Sequence, residues 1–357
     1  MNRFVVFSDL HLHQWSYGST LINGRNSRLE GQVQVVKDII KYCKERDIRQ
    51  AFFCGDLFHT STVTAEVSQA AYEAFKGFEE NKITLSILVG NHDQADSVGT
   101  MHALSGFKYS KYIRVCDGAV HDGPVQRFER MCDAYLYPFT NSKERLEAWL
   151  SRVSGGLLFL HQGVGGVEVN SKGFTLNEIL TPDMIPDSVI MAFTGHYHSH
   201  KVVSKNLTIP GSTTQLNWGD EGEVRGWLDV AIDGGSIHDM QLVPANAPKF
   251  VTITEAELNT PQGCPNLFDN FVRVESHGDY SPEDLKAAAE ELGAFSVEVK
   301  RVTSPNKIIR VAGTSVKSFN EIVLSYAIAQ EDAGNISSYD KDVGEMLLKG
   351  SYHPPQV

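Results

Sequence analysis

Residues 51–59 read AFFCGDLFH, four apolar residues followed at once by a polar cluster. The apolar run predicts a short buried strand, and Gly55 ends it because glycine tolerates the turn that must follow. Asp56 and His59 therefore lie just beyond the carboxyl end of a strand. The same pattern recurs along the first two thirds of the chain, and its repetition determines the predicted fold.

Four other predicted strands also end in polar clusters. They are residues 3–8, ending in Ser8-Asp9-Leu10-His11; 83–89, ending in Gly90-Asn91-His92-Asp93; 157–160, ending in His161; and 189–194, ending in Gly195-His196-Tyr197-His198. Apolar residues at helical spacing over 30–46, and a helical pattern over 62–80, separate the first three strands. This β-α-β-α-β order predicts an α/β fold in which helices cover a sheet.

The polar clusters have the composition of a metal site. In an open sheet, ligands bind just beyond the carboxyl ends of the strands. Asp9 and His11, like His196 and His198, are two positions apart, so an extended backbone can direct both side chains to one site. Carboxylate, amide and imidazole groups together suit manganese, iron or zinc. One such pair is usually an ordinary turn, but five clusters in order at strand ends predict a metal centre.

Composition excludes several classes of protein. The 357 residues include 32 Lys and Arg against 44 Asp and Glu, a net charge of −12. This excludes a protein that holds nucleic acid or an anionic membrane by its overall field. No run of 18 apolar residues exists, so no membrane span is predicted. The five cysteines are scattered without a CxxC pair, which argues against disulfides and favours a reducing cytoplasm.

The order DxH, GDxxH, GNHD, H and GHxH resembles the calcineurin-like metallophosphoesterases. That resemblance implies two divalent ions as cofactors, Mn2+ first, with Mg2+, Fe2+ or Zn2+ as alternatives. It implies seven metal ligands: Asp9, His11, Asp56 and His198 for one ion, and Asp56 (bridging), Asn91, His161 and His196 for the other. His92 is implied to contact the scissile phosphate and assist the leaving group, with Asp93 orienting its ring.

The GDLFH motif at residues 55–59 indicates the branch of the family. Protein phosphatases of the superfamily carry GDxVDRG and GNHE, whereas GDLFH with GNHD resembles the SbcD-type nucleases of DNA repair and recombination. His59 is then implied to contact the phosphate in exonucleolytic cleavage. Residues 209–227, containing PGS, QLNW and RGW, are most similar to the T-even-type phage members of that branch.

The resemblance also implies a domain organisation. It predicts a four-layer αββα sandwich over residues 1–247, in the α/β or α+β class. A small α/β capping domain over 248–317 and a helical tail over 318–357 follow. Residues 322–329 are apolar almost all round, so they must be buried somewhere, either on their own domain or on the coiled-coil base of an SbcC-like ABC-type ATPase. A homodimer is implied as well.

Two segments are candidates for DNA contact. The loop 12–28 has no acidic residue and offers aromatic rings and guanidinium groups, namely Trp15, Tyr17, Arg25 and Arg28. Residues 299–317 contain basic residues and no acidic one, among them Lys300, Arg301, Lys307 and Arg310. An ordinary surface loop and a solvated basic face are equally good interpretations of the two segments.

These expectations define a two-metal DNA nuclease that cleaves double-stranded ends exonucleolytically and single strands endonucleolytically. Its partners are DNA and the SbcC-like ATPase, within a DNA end-processing complex. A stand-alone phosphomonoesterase or cyclic-nucleotide phosphodiesterase of the same superfamily is the alternative. A non-enzymatic scaffold on this fold is disfavoured because all seven ligands are present.

Overall fold

The computed structural model describes residues 2–22, 24–96, 99–118, 125–128, 132–168, 175–233, 235–260 and 264–302. Residues 1–300 form one compact unit, and 301–357 form a second that lies almost wholly outside the described residues. The predicted tail over 318–357 and the boundary at 317 fall in that second unit. The domain boundaries at 247 and 317 therefore stay predictions.

Strands and short helices alternate through the first unit. The strands are β1 (Asn2–Phe7), β2 (Leu21–Ile22), β3 (Arg25–Asn26), β4 (Gln50–Phe53), β5 (Thr84–Leu88), β6 (Ile113–Cys116), β7 (Val125–Phe128), β8 (Cys132–Tyr137), β9 (Gly156–His161), β10 (Val189–Gly195), β11 (Lys201–Ser204), β12 (Leu207–Ile209), β13 (Gly226–Asp233), β14 (Ser236–Pro244), β15 (Phe250–Thr254), β16 (Phe271–Ser276) and β17 (Ser296–Arg301). The helices are α1 (Ser27–Glu45), α2 (Ala65–Glu80), α3 (Lys143–Leu150), α4 (Glu255–Leu258) and α5 (Pro282–Glu291).

Two six-stranded sheets form the centre of the molecule. The first has the order β14-β13-β1-β4-β5-β6, and its central strands β1, β4, β5 and β6 are parallel. The second has the order β11-β12-β10-β9-β8-β7, with β8, β9, β10 and β12 parallel. The parallel strands of each sheet bring their carboxyl ends to one edge, which is where the predicted polar clusters lie.

Successive residues of β1 face opposite sides of the first sheet, as the period of a strand requires. Val5 and Phe7 pack in a core with helices α1 and α2, whereas Phe4 and Val6 pack between the two sheets. The inter-sheet core is rich in stacked aromatic rings, and the centroids of Phe52 and Phe159 are only 3.8 Å apart. Because both faces of the sheet are covered, its strands are continuous apolar runs.

The second sheet is covered on its outer face by α3, through a core that includes Leu146, Trp149 and Leu150. The layers are therefore helices, sheet, sheet and helix, and the predicted α/β four-layer sandwich is confirmed. Strands β11 and β12 form a hairpin at the edge of this sheet, with a turn at Lys205–Asn206 between them.

A smaller three-stranded sheet, β15-β16-β17, carries α4 and α5 and has a core of its own. It lies within residues 248–317, the region predicted to form the small α/β capping domain. We call this sheet with its two helices the cap sheet. No helix within the described residues is long and apolar enough to cross a membrane.

Candidate metal centre

Seven side chains converge at the carboxyl ends of β1, β4, β5, β9 and β10. Asp9, His11 and His198 form one group, in which His11 Nε2 lies 3.2 Å from His198 Nε2 and 3.8 Å from Asp9 Oδ1. The strand ends of both sheets contribute to this group, so it exists only because the two sheets pack face to face. The structure thus brings together residues almost 190 positions apart.

The second group comprises Asp56, His161, His196 and Asn91. Asp56 Oδ2 lies 3.3 Å from His161 Nε2, and Asn91 Oδ1 lies 3.1 Å from His161 Nε2 and 2.8 Å from His196 Nδ1. The same Oδ2 of Asp56 lies 3.7 Å from His11 Nε2 in the first group. Asp56 therefore has the bridging position that the sequence resemblance implies for it.

The backbone at these residues has an unusual conformation. Asp9, His11, Asp56 and His196 have φ values of 52°, 48°, 58° and 89°, in the left-handed region that side chains other than glycine rarely adopt. Such conformations cost about 1–3 kcal/mol each and persist where the surrounding structure fixes them, characteristically at functional sites. Here each one turns the chain sharply at a strand end, so that the side chain faces the centre.

The chemistry of the group fits two divalent cations. Asp9 and Asp56 are fully buried, and within the described residues their ion-pair partners are histidines rather than Lys or Arg. Two buried carboxylates without a basic residue need another source of positive charge. Three oxygen-bearing side chains and four imidazoles supply the mixed donor set of manganese, iron or zinc. A metal centre is therefore consistent with the residues present.

Burial and charge shift the protonation of the metal-free site. Burial raises the pKa of Asp9 to about 7. Burial also opposes protonation of His161, but the Asp56 carboxylate outweighs it and raises the pKa of His161 to about 9. Burial lowers the pKa of His11 well below its usual value and that of His196 to about 4. At neutral pH, metal ions must therefore displace protons from Asp9 and His161, whereas His11 and His196 are already unprotonated.

His92 and His59 lie side by side next to the second group. Their rings are stacked at 5.5 Å with planes within 20°, and His92 Nδ1 donates to the carbonyl oxygen of His59 at 2.7 Å. A carbonyl only accepts, so this contact places the proton on Nδ1 and directs Nε2 elsewhere. The His92 amide donates to Asp56 Oδ1 at 2.9 Å, which ties the ring to the bridging carboxylate.

Asp93 does not orient the His92 ring, contrary to the expectation from the sequence. Its fully buried carboxylate accepts hydrogen bonds from the backbone amides of Asp56, Leu57, Phe58 and Gly90, at 3.0–3.3 Å. It therefore holds the GDLFH turn against the GNHD turn. The His59 carbonyl takes the place of the predicted partner of His92.

The predicted DNA contacts in the loop 12–28 have other partners. Arg28 is buried, and its guanidinium donates to the carbonyls of Tyr17 and Leu216 at 3.2 Å and 2.8 Å. Arg25 is ion-paired with Glu30 and Glu73, and the Tyr17 hydroxyl donates to Glu298 of the cap sheet at 2.9 Å. These contacts correct the expectation that both guanidinium groups are available to DNA phosphates.

The other residues predicted to contact DNA are Trp15, Lys300, Arg301, Lys307 and Arg310. Trp15 packs on the His59 ring, with centroids 4.6 Å apart. Lys300 and Arg301 are exposed at the end of β17, and Lys307 and Arg310 lie outside the described residues. The composition of the loop identified a segment next to the site, but it could not show which side chains of that loop already contact other residues of the chain.

Two residues that support the centre were not assigned a role from the sequence. Arg225, almost fully buried, donates to the His198 carbonyl and pairs with Asp220 at 2.8 Å. Glu178 Oε1 lies 3.9 Å from His196 Nε2. Partners of this kind orient ligating histidines. The Arg-Gly pair just before β13 was the available signal for Arg225, whereas Glu178 had none.

A model of the family described as calcineurin-like phosphoesterase matches residues 2–206, a stretch that includes all seven converging side chains. The chain belongs to this family. It is thus a metal-dependent hydrolase of phosphate esters, and the predicted family and enzyme class are confirmed. The metal-binding groups of the site, two of which contain a carboxylate and two histidines, agree with that class.

Individual relatives refine the comparison. The chain is 24% identical over 359 residues to the DNA double-strand break repair protein Mre11 of Archaeoglobus fulgidus, spanning 92% of this chain and 77% of that protein. It is 31% identical over 97 residues to the SbcD component of the nuclease SbcCD of Bacillus subtilis, spanning 27% of this chain and 24% of that protein. The similarity to SbcD-type nucleases expected from GDLFH is confirmed.

Among solved structures, the chain is similar to a dimetal phosphatase from Danio rerio, with 10% identity and a TM-score of 0.41. That alignment covers 68% of this chain and 96% of the phosphatase.

Proposed function

We propose that this phosphoesterase is a DNA nuclease that uses two metal ions, cleaving duplex ends exonucleolytically and single strands endonucleolytically. The observation that carries the proposal is the stacked pair His59 and His92 beside the bridging Asp56. A second imidazole next to the first gives the site two groups that can contact one phosphodiester. The similarity to Mre11, which extends over 92% of this chain and so includes most of the cap sheet, supports a DNA substrate.

Each residue of the site has a distinct role in this mechanism. When bound, two divalent ions supply Lewis-acid activation of water and of the phosphoryl group. Asp9, His11, His198, Asn91, His161 and His196 hold them, with Asp56 between the two groups. His92, whose Nδ1 proton is held by the His59 carbonyl, presents Nε2 to the leaving oxygen and would protonate it from the imidazolium form, in which Nε2 also carries a proton. His59 contacts the phosphate from the adjacent position.

We assign Mn2+ as the metal, because a mixed set of carboxylate, amide and imidazole donors accommodates it without the thiolates that favour zinc. The partners in this proposal are DNA, an SbcC-like ABC-type ATPase that gates access to duplex DNA, and a second copy of the chain. The ATPase-binding segment would lie within 318–357. Since all five cysteines are free, we place the reaction in a reducing cytoplasm.

The test compares substrates on one purified preparation with Mn2+. Linear duplex DNA, circular single-stranded DNA, bis-p-nitrophenyl phosphate and a nucleotide monophosphate are assayed side by side. Cleavage of both DNA forms supports the nuclease. Turnover of the monophosphate or of a cyclic nucleotide without DNA cleavage would instead identify the phosphomonoesterase or cyclic-nucleotide phosphodiesterase.

Two variants test the mechanism on the same substrates. Asp56→Asn and His92→Ala are expected to abolish DNA cleavage. Asp233→Asn and His238→Ala, exposed residues on β13 and β14, serve as matched controls and keep full activity. Full Mn2+-dependent cleavage by either of the first two variants would refute the mechanism.

A further inference from the structure

Trp15 stands between two charged or polar groups that belong to different parts of the molecule. On one side, its ring lies 4.6 Å from the His59 ring, and on the other the guanidinium carbon of Arg28 lies 4.7 Å from its centroid. Beyond His59 comes His92, at 5.5 Å. Arg28, Trp15, His59 and His92 thus form a continuous stack, which we call the aromatic column.

The outer end of the column is fixed by the cap sheet. The Arg28 guanidinium lies over the rings of Phe250 on β15 and Phe271 on β16, at 5.6 Å and 5.1 Å from their centroids. Its two hydrogen bonds to the Tyr17 and Leu216 carbonyls hold its plane in place. Because these contacts hold the guanidinium in place, it cannot shift together with the Trp15 ring, and it therefore limits the positions that this ring can adopt.

The inner end of the column, the His59 ring, has no polar anchor of its own. Its backbone amide donates to Leu12 at 3.3 Å, but its Nδ1 atom is buried without a hydrogen-bond partner among the described residues. The orientation of the ring therefore depends on the surfaces that it packs against. Those surfaces are the rings of Trp15 at 4.6 Å, His13 at 5.0 Å, and His92 and His11 at 5.5 Å each, so Trp15 makes the shortest of these ring contacts.

We propose that Trp15 is a positioning residue that holds the His59 ring against the metal centre and thereby sets the rate of phosphodiester hydrolysis. The proposal rests on the proposed function, in which His59 contacts the phosphate. It replaces the expectation that Trp15 stacks on a DNA base. Through Arg28, the position of the cap sheet also fixes the position of His59.

A positioning role and a base-stacking role for Trp15 predict different kinetic effects. A positioning residue acts on every phosphodiester, so Trp15→Leu lowers kcat for bis-p-nitrophenyl phosphate about tenfold or more, because a catalytic group misplaced by 1 Å costs up to about 100-fold. A base-stacking residue would raise KM for DNA and leave turnover of the small substrate unchanged. Leucine fills part of the volume of tryptophan but offers no aromatic face to His59.

Matched variants separate positioning from a general loss of structure. Trp15→Phe restores a flat ring and is expected to keep kcat within about threefold of the wild-type value. Trp149→Leu removes another tryptophan, which lies on α3 and packs on Tyr137 in the outer core of the second sheet rather than on any member of the column. It is expected to leave kcat for the small substrate unchanged.

The decisive measurement is a double-mutant cycle on kcat with Trp15→Leu, His59→Ala and the double variant. If Trp15 acts through His59, the double variant is no slower than His59→Ala. The proposal is overturned if the losses multiply, if Trp15→Leu has wild-type kcat, or if Trp15→Phe is as slow as Trp15→Leu. Should Trp15→Leu fail to fold, the same cycle is run with Trp15→Met, which also offers no aromatic face to His59, and the double variant must again be no slower than His59→Ala.

Failure of this proposal can be distinguished from failure of the proposed function. Whether the wild-type protein cleaves DNA decides the function. The cycle is measured on bis-p-nitrophenyl phosphate, which does not need the DNA-binding surfaces, so it decides the role of Trp15 even for a protein that leaves DNA intact.

Discussion

Replacing Gly90 with alanine tests whether the metal centre depends on the close approach of two turns. Gly90 begins the GNHD turn and lies directly against Asp56 of the GDLFH turn. A Cβ atom built at position 90 would lie 2.8 Å from Asp56 Cγ, and closer still to its Oδ1 and amide nitrogen. The φ angle of Gly90 is not positive, so the alanine backbone itself is acceptable and the collision is the only cost.

The size of the effect follows from that distance. An ordinary contact of a Cβ atom begins near 3.4 Å, so Asp56 Cγ must move by about 0.6 Å, and its Oδ1 and amide nitrogen, which lie closer, must move further. Its backbone cannot yield easily, because Asp93 binds the amides of both turns. Overpacking of this kind costs about 1–3 kcal/mol of stability. Displacing the bridging ligand should weaken Mn2+ binding about 10–100-fold, as the loss of outer supports of metal sites does.

The assay is isothermal titration calorimetry of the metal-free protein with Mn2+, with thermal unfolding measured on the same samples. Gly31→Ala is the matched control, since a Cβ atom at this position in α1 meets nothing within 4 Å. It should stabilise the helix by about 0.5–1 kcal/mol and bind Mn2+ normally. If Gly90→Ala binds Mn2+ as tightly as the wild type, the centre does not depend on this packing and the reasoning is wrong.

Three further predictions concern the same centre. In the metal-free centre the pKa of Asp9 is about 7 and that of His161 is about 9, so protons compete with the metal as the pH falls. The metal affinity of the group that contains His161 should therefore drop about tenfold per pH unit below pH 9, and that of the group that contains Asp9 should drop in the same way below pH 7. Calorimetry in buffers of different ionisation enthalpy would find no proton release on metal binding if this is wrong. Arg225→Met, which removes one of the two donors to the His198 carbonyl and leaves only the Ser212 amide, should lower Mn2+ affinity about tenfold while the fold survives, and unchanged affinity would deny Arg225 a supporting role. Asp93→Asn replaces one of the two accepting oxygens with an NH2 group, so at least one buried amide loses its acceptor at a cost of about 1–3 kcal/mol; the melting temperature should fall by several degrees, and an unchanged melting curve would contradict the hydrogen bonds described above.

The convergence of the seven side chains could be predicted from the sequence in part by a local rule, whereas their assignment as metal ligands is what the family resemblance implies. An apolar run of four to seven residues becomes a buried strand, and the polar residue after it lies at the sheet edge. Asp9, Asp56 and His161 follow such runs directly, so no knowledge of the sheet order was needed. The order of the strands only decides how close they come, and parallel strands in two packed sheets bring them within 4 Å.

The surface contacts could not be predicted in this way, since they depend on partners far along the chain. Arg28 is 188 positions from Leu216, and Tyr17 is 281 positions from Glu298. A loop rich in aromatic and basic residues suits a nucleic acid, but it equally suits an interface with another part of the same chain. Here the loop forms an interface with the cap sheet, where Arg28 packs on Phe250 of β15.

The charge of the chain gives the metal a further role in the proposed reaction. Residues 251–300 carry 10 acidic and 3 basic residues, so the cap sheet beside the site repels a polyanion. Metal binding displaces the protons that Asp9 and His161 hold in the metal-free centre, after which Asp9 and Asp56 contribute two negative charges and two divalent ions bring the sum to about +2. Because both carboxylates are fully buried, this change occurs in a medium of low dielectric constant, where it acts strongly on a nearby phosphate. A chain with a net charge of −12 can therefore attract DNA at one edge only after that edge has bound its metals, which makes metal loading a condition for substrate binding as well as for catalysis.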